Sequence, residues 1–222
     1  EERPSLRALL AVRSPTLGLA ILGGTVAAFT AGGLMSWMPM FVVRYHAFKV
    51  SDGGLLLGAL AIGCGAAGAL TGGYLGDHLE ARRPGGRCLA VAVAFALVPP
   101  VGLLGTSTTH RGAFVALCGL TIFCMSFYAG PIIAIIDDVV PRRFAATAQA
   151  AFLLVSHLFG DTFAPTAVGA LADLHGGPQG LRRAVLLPVF ACGLAALSFG
   201  AAAIFHPRDR RRAQELNHTP LA

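Results

Sequence analysis

The 222-residue chain is 55% hydrophobic and only 13% charged, about half the ~25% of charged residues typical of soluble domains. So few charges cannot cover the surface of a water-soluble fold, which excludes an ordinary soluble protein. The net charge is +6, from 17 basic and 11 acidic residues. Because the basic residues cluster in short loops between apolar segments, they indicate membrane topology and no binding of nucleic acid.

Six apolar segments follow one another along the chain, and a helix needs ~20 apolar residues to cross a bilayer. They are too long for membrane-spanning strands and lack alternation. The sequence therefore predicts an all-α membrane protein with six transmembrane helices. The predicted spans are 14–43, 53–76, 88–105, 112–136, 144–172 and 184–205, with a cytoplasmic linker at 1–13, a bundle over 14–206 and a disordered cytoplasmic tail at 207–222.

The loop charges predict the orientation. Twelve of the 17 basic residues lie at one end of the predicted spans and five at the other. Basic loops remain on the cytoplasmic side, so both termini are predicted to be cytoplasmic in a multi-pass protein of a plasma or bacterial inner membrane. The chain opens on Glu1 without a methionine, so a fragment or a processed product is expected.

The patterns of the common enzyme and metal sites are missing. The five cysteines lie in apolar segments without a C-x-x-C pair, so neither a disulfide framework nor a zinc site is predicted. There is no G-x-S-x-G, no H-E-x-x-H and no P-loop. We therefore predict no catalytic residue, no cofactor, no metal and no enzymatic activity.

The fifth segment carries two ionisable residues inside the predicted membrane region. Asp161 lies about 26 Å along a helix that begins at Phe144, at 1.5 Å per residue, and His157 is one turn earlier on nearly the same face. Pro165 removes the hydrogen bond to the carbonyl of Asp161. An ionisable residue in a span usually faces a cavity or a partner. Two interpretations remain open: a proton-responsive gate, or a structural pair that holds a helix bend.

Prolines at 39 and 131 are predicted to free backbone carbonyls in the first and fourth segments. Broken helices often line the substrate path of transporters. The nearby polar and small residues are candidates for the cavity lining, although Trp37 fits an interfacial anchor equally well. The candidates are Ser36, Trp37, Ser126, Tyr128, Gln149, Ser156 and Gly160, the last three forming a predicted polar stripe on the fifth helix.

Glycines repeat every four residues in the second segment, at Gly68, Gly72 and Gly76. Such spacing places them on one helix face and lets another helix approach closely. The pattern predicts a tight helix contact, and a moving interface would use the same surface.

The second segment ends in Gly73, three residues, Asp77 and then Arg82 and Arg83. This motif resembles the loop signature of the major facilitator superfamily, with His78 and Glu80 as departures from it. The resemblance implies that Asp77 braces a neighbouring helix, while an exposed carboxylate paired with Arg82 or Arg83 is the alternative.

The stretch 130–173 has a more specific pattern. Gly130-Pro131, Asp138 to Pro141, Ala146-Thr147-Ala148 and Gly160-Asp161 resemble the Spinster branch of that superfamily. Ala145 replaces the arginine that is common before Ala-Thr-Ala, so its contact is absent or supplied by Arg142 or Arg143. We group Asp138, Arg142 and Arg143 as a predicted cytoplasmic charge cluster.

The resemblance implies the C-terminal half of a transporter, built from two inverted three-helix repeats. A missing N-terminal six-helix half, membrane lipid and a small or amphipathic solute would be its partners. The solute could be lysolipid-like or sphingoid-like, and it would move by alternating access, with proton coupling as an option. The alternative is a self-contained six-span protein that acts as an oligomeric channel, a receptor or a scaffold.

Overall fold

The computed structural model describes residues 14–177 and 179–218. The predicted linker 1–13 and the last four residues of the predicted tail lie outside these ranges. Within them the chain forms helices joined by short turns, without a strand. The predicted all-α fold class is confirmed.

The helices of this part of the chain are α1 (Pro15–His46), α2 (Val50–Arg82), α3 (Gly86–Ser107), α4 (Arg111–Ser126), α5 (Pro131–Val139), α6 (Ala145–Ser156), α7 (Ala164–His175), α8 (Gly180–Ala184) and α9 (Leu186–His218). A 3₁₀ turn at Arg142–Phe144 precedes α6, and a π-helical turn at His157–Asp161 follows it. By length and hydropathy these elements form six candidate membrane spans: Pro15–His46, Val50–Arg82, Gly86–Ser107, Arg111–Val139, Arg142–His175 and Gly180–Asn217. We number them first to sixth.

The helices are longer than the apolar segments that predicted them. The second span has 33 residues, about 50 Å at 1.5 Å per residue, whereas the hydrocarbon core of a bilayer is ~30 Å thick. Helical hydrogen bonding therefore continues past the apolar region at the span ends, where polar side chains begin. Hydropathy locates the spans but underestimates their length.

The core forms where the sixth span packs along the first and the third. Phe95 of the third span stacks on Phe199 of the sixth with ring centroids 5.9 Å apart. Gly23 and Gly24 of the first span face Phe199 and Phe152, and an added Cβ would collide with those rings. Small residues opposite aromatic rings thus let the helices interdigitate.

Close backbone contact between the second and fourth spans is confirmed at the predicted glycines. A Cβ added to Gly68 or Gly72 would overlap the carbonyl of Phe123 or Phe127. At Gly76 it would lie 3.1 Å from Cγ of Pro131. The obstructing atoms at Gly68 and Gly72 are backbone, so they cannot rotate away.

Replacing Gly72 with alanine is expected to force these two spans apart and to lower the yield of folded protein. Overpacking in a close-packed interior costs about 1–3 kcal/mol. Gly63→Ala is the matched control, because a Cβ at that glycine of the same helix meets nothing within 4 Å. The amount of monodisperse protein after detergent extraction measures the folded yield of each variant. Equal yields for the two variants would contradict the contact.

The prediction of a disordered tail from Pro207 is wrong as far as residue 218, because the sixth span continues as a helix. Pro207 removes one helical hydrogen bond, to the carbonyl of Ala203. Contacts made by residues after Pro207 hold the helix in place instead. Asp209 is buried and accepts hydrogen bonds from Oγ of Ser14 and the amide of Thr16, both at 2.9 Å. A carboxylate at the N-terminus of the first span binds its unpaired amides and its helix dipole, which anchors the extension.

These contacts define what we call the basic end of the bundle. It holds Ser14, the turn at 83–85, the turn at 140–141 and residues 206–217. At the opposite end Arg111 donates to the carbonyl of Ala47, and Arg182 donates to that of Ser107, both at 3.1 Å.

Candidate functional site: a broken helix and a charge cluster

The fifth span is interrupted by a π-helical turn. The amide of Thr162 donates to the carbonyl of His157, five residues earlier, at 3.3 Å, and its hydroxyl donates to the same oxygen at 2.7 Å. Regular helix resumes with α7, where Pro165 occupies the first turn and its missing N–H costs nothing. The irregularity therefore lies one turn before the proline that predicted it. Such turns are frequent at functional sites.

The turn presents the predicted ionisable pair on the surface of the six-span bundle. Nδ1 of His157 lies 2.8 Å from Oδ2 of Asp161, with 68% and 40% of the two side chains exposed. Oδ1 of Asp161 is buried and has no hydrogen-bond partner among the described residues. A Cβ at Gly32 of the first span would lie 2.7 Å from Cα of Asp161. The first span therefore supports the pair from behind and leaves the imidazole accessible.

Trp37 connects the first span to the restart of the fifth. Its Nε1 donates to the carbonyl of Pro165 at 2.9 Å, and a Cβ at Gly169 would meet its ring at 2.9 Å. Trp37 therefore packs against the broken helix, and both interpretations, cavity lining and interfacial anchor, stay predictions. Ser36 beside it is exposed.

The predicted polar stripe on the fifth helix is wrong for Ser156 and Gly160, which are buried. A Cβ at Gly160 would lie 2.8 Å from the carbonyl of Thr25, so this face packs on the first span. Their small size serves close packing, while the residues one position later carry the exposed pair. Gln149 donates to Asp137 at 2.7 Å and lies nearer the basic end.

The fourth span breaks where Pro131 predicts it. α4 ends at Ser126 and α5 begins at Pro131, joined by a turn in which the amide of Ala129 bonds the carbonyl of Ser126 at 3.1 Å. Tyr128 lies in this turn and packs against Phe95 at 5.6 Å. The first span, in contrast, continues through Pro39 without a break.

At the basic end one arginine joins three spans. Nε of Arg87 lies 2.8 Å from Oδ1 of Asp77 in the second span, and its Nη1 lies 2.6 Å from Oδ2 of Asp138 in the fourth. Arg87 itself begins the third span. Charge-assisted hydrogen bonds of this length are about twice as strong as neutral ones.

A second ion pair brings the sixth span into this cluster. Glu80, whose side chain is buried, accepts from Nη1 of Arg210 at 3.0 Å and from the amide of Arg87 at 3.2 Å. Nε of Arg210 is also 3.7 Å from Oδ1 of Asp138. We name Asp77, Glu80, Arg87, Asp138 and Arg210 the charge cluster. It connects the ends of four spans.

Arg82 and Arg83 of the predicted loop motif lie outside the charge cluster. The predicted grouping of Asp138 with Arg142 and Arg143 is wrong, because Asp138 pairs with Arg87 and Arg210. Arg82 and Arg83 are exposed, and Asp77 pairs with Arg87 instead of either, which corrects the predicted alternative. Arg143 stacks 5.0 Å over Phe144, and the amide of Arg142 bonds Asn217 at 3.0 Å. Gly73 contributes packing, since a Cβ at Gly130 would lie 3.1 Å from its Cα.

Sequence reasoning missed the roles of Glu80, Arg87 and Arg210. Arg87 counted only as a topological charge, and Glu80 only as a departure from a motif. The sequence does place acidic and basic residues at the same ends of antiparallel spans, and this pattern could have predicted ion pairs there. Which residues pair depends on the geometry of the turn between the second and third spans.

A family model described as Major Facilitator Superfamily matches residues 20–221. Protein spinster homolog 1 of Homo sapiens is 29% identical over 247 aligned residues, covering 94% of this chain and 44% of that protein. An MFS-type efflux pump of Mycolicibacterium smegmatis is 30% identical over 203 residues, covering 89% of this chain and 47% of the pump. The chain thus spans about half the length of these curated relatives.

The fold is similar to a crystal structure of a bacterial homolog to the human lysosomal transporter Spinster, in its inward-facing and unoccupied conformation. The TM-score is 0.80 at 20% identity, and the alignment covers 94% of this chain and 52% of that one. Six apolar helices, a fold that matches half of a transporter and the family model agree. The chain is a multi-pass membrane protein that belongs to the Major Facilitator Superfamily and is Spinster-like within it.

Proposed function

We propose that this chain is the C-terminal half of a secondary transporter that moves a small or amphipathic organic solute by alternating access. The observation that carries the proposal is uneven burial. In the most apolar stretch of each span, only 11% of the residues of the second span and 28% of those of the fifth are buried inside this half. The fraction is 44–50% in the other four spans. These two spans would therefore face a second half across the solute path.

The polar groups of the half support the same interpretation. The exposed His157–Asp161 pair and the π-helical turn belong to the fifth span, one of the two uncovered ones. Lipid penalises an ionisable side chain in a span by ~2.5–3.5 kcal/mol, whereas a solute path between two halves holds water. The second span adds large exposed apolar residues, Leu55, Ile62 and Leu70. An apolar wall with one acid–base pair suits an amphipathic solute.

The basic end is proposed to be cytoplasmic, because twelve of the 17 basic residues of the sequence lie there or in the segment before the first span. A cysteine in place of Arg143 should then react only with a reagent on the cytoplasmic side, and one in place of Arg183 only from outside. Reversed labelling would overturn the orientation.

The decisive experiment is transport by the full-length protein in proteoliposomes. A panel of a lysophospholipid, a sphingoid base and a hydrophobic cationic dye tests the solute class, with and without a pH gradient. We expect saturable uptake of at least one amphipathic member and none in protein-free vesicles. If the six-span chain alone formed a defined oligomer that conducted ions, the self-contained channel would replace this proposal.

A further inference from the structure

A histidine with no exposed surface lies inside the charge cluster. His206 of the sixth span is 0% exposed. Its Nδ1 lies 3.8 Å from Oε1 of Glu80, and its Nε2 lies 3.5 Å from Oδ2 of Asp138. Neither nitrogen has a hydrogen-bond partner among the described residues. Buried polar groups without partners are rare and require an explanation.

The two nitrogens face the same kind of group. A neutral imidazole carries one N–H and one lone pair, so in either tautomer a lone pair would point at a carboxylate. A protonated imidazole has two N–H groups and attracts both carboxylates. Both distances exceed the 2.7–3.2 Å of an N–H···O bond, so the attraction is electrostatic here, and shifts of a few tenths of an ångström would close either bond.

Two carboxylates lie next to His206, Glu80 of the second span and Asp138 of the fourth. Each is also paired with an arginine, Arg87 of the third span or Arg210 of the sixth, and the thiol of Cys88 of the third span lies near both carboxylates. Asp77 lies beyond Arg87 and is 67% exposed, so water screens its charge. Burial disfavours a charged imidazole, whereas two ionised carboxylates within 4 Å favour it.

We propose that His206 is a binding site for one proton, and that the bound proton fastens the sixth span to the second and fourth at the basic end. The site is separate from the His157–Asp161 pair and does not depend on the transport proposal. Glu80, Asp138 and His206 each offer one ligand atom within 4.8 Å of the others, a spacing that a metal ion could also bridge. Both carboxylates already accept from guanidinium groups, and a dication would add two positive charges beside them where a proton adds one, so the geometry favours the proton.

The test is the thermal unfolding midpoint of the full-length protein in detergent at about pH 6 and about pH 8, on either side of the ordinary titration of histidine. A proton held by the folded cluster and released by the unfolded chain stabilises at low pH, and this contribution is lost as the pH rises. The wild-type midpoint should fall by about 3 °C more than that of His206→Gln, the size of a ~1 kcal/mol effect in a folding unit of about 200 residues.

His46→Gln is the matched control. His46 is equally buried, at 3% exposure, but it stacks on Phe114 at 3.9 Å and no carboxylate pairs with it among the described residues. Because burial, Arg111 and Arg182 oppose protonation of His46, its replacement should leave the fall of the midpoint from about pH 6 to about pH 8 as large as in the wild type or larger, opposite to the effect of His206→Gln. Asp138→Asn, which keeps the shape of the side chain, serves if His206→Gln does not fold, and it should reduce the pH dependence in the same direction.

Equal pH dependence in wild type, His206→Gln and Asp138→Asn would overturn the proposal. So would a midpoint that zinc raises at about pH 8 in the wild type but not in His206→Gln, because the ligand would then be a metal.

Discussion

Arg87→Gln is expected to destabilise the protein by about 2–4 kcal/mol and to abolish transport by the full-length protein. The substitution leaves Asp138 partly buried beside Glu80 without its shortest ion pair. Removing one partner of a buried pair costs about 3–5 kcal/mol, and the estimate is lowered because Arg210 and His206 remain near Asp138. The contact with Asp77 adds little, since 67% of that carboxylate side chain is exposed.

Arg83→Gln is the control, because this arginine is exposed, lies four residues away and makes no ion pair in the described part of the chain. Its effect should remain within about 0.5 kcal/mol. The thermal unfolding midpoint and transport rate of each purified protein give the comparison. A double-mutant cycle of Arg87→Gln with Asp138→Asn isolates the pair. Additive effects in that cycle would show that the observed 2.6 Å contact contributes nothing of its own.

The correct partner of Asp77 could not be read from the sequence, and the reason is local geometry. Arg82 and Arg83 are nearer along the chain, but they lie where the second helix ends in water. Arg87 begins the antiparallel third span, and the turn returns it beside Asp77. That turn depends on Gly85, whose φ is 84°, and on Gly86, where a Cβ would overlap the carbonyl of Leu79.

The prolines show why hydropathy and helix propensity do not predict where a transmembrane helix breaks. All three prolines lack an N–H, yet the helix breaks at Pro131, continues through Pro39 and changes pitch before Pro165. The difference lies in tertiary contacts, which sequence patterns do not encode. Trp37 donates a hydrogen bond to the carbonyl of Pro165, and Gly32 lets the first span pack closely against the π-helical turn.

The spans themselves were predictable. A helix in lipid must form all its backbone hydrogen bonds internally, so it is recognised by its length and apolar composition. The helical extension beyond Pro207 was not. It depends on Asp209 reaching Ser14, 195 residues away, a contact that has no local signal.

Asp161→Asn is expected to flatten the pH dependence of transport and to reduce the rate by about tenfold near neutral pH. Its carboxylate accepts from Nδ1 of His157 at 2.8 Å, inside a span, where an ionisable residue usually has a partner. A hydrogen bond to a charged group contributes about 1.5–3 kcal/mol. We use the low end because both side chains are more than one third exposed in this half, and about 1.4 kcal/mol corresponds to tenfold in an equilibrium between two states.

The control comes from the other end of the same span. Asp173→Asn and His175→Gln replace the same residue types at exposed positions of α7, and His175 bonds its own helix, at 2.9 Å to the carbonyl of Leu171. Their pH profiles should match the wild type. His157→Gln should flatten the profile as Asp161→Asn does, since either change removes the ionisable pair.

Stability and pH response together separate a gate from a brace. A brace between two turns of a distorted helix would lower the unfolding midpoint in Asp161→Asn while the remaining activity kept the wild-type pH profile. A proton-responsive gate changes the profile even when the midpoint is normal, because protonation would then shift the population between an open and a closed state. Rates are therefore measured across the pH range on equal amounts of folded protein. A wild-type profile in both His157→Gln and Asp161→Asn would reduce the pair to a structural contact.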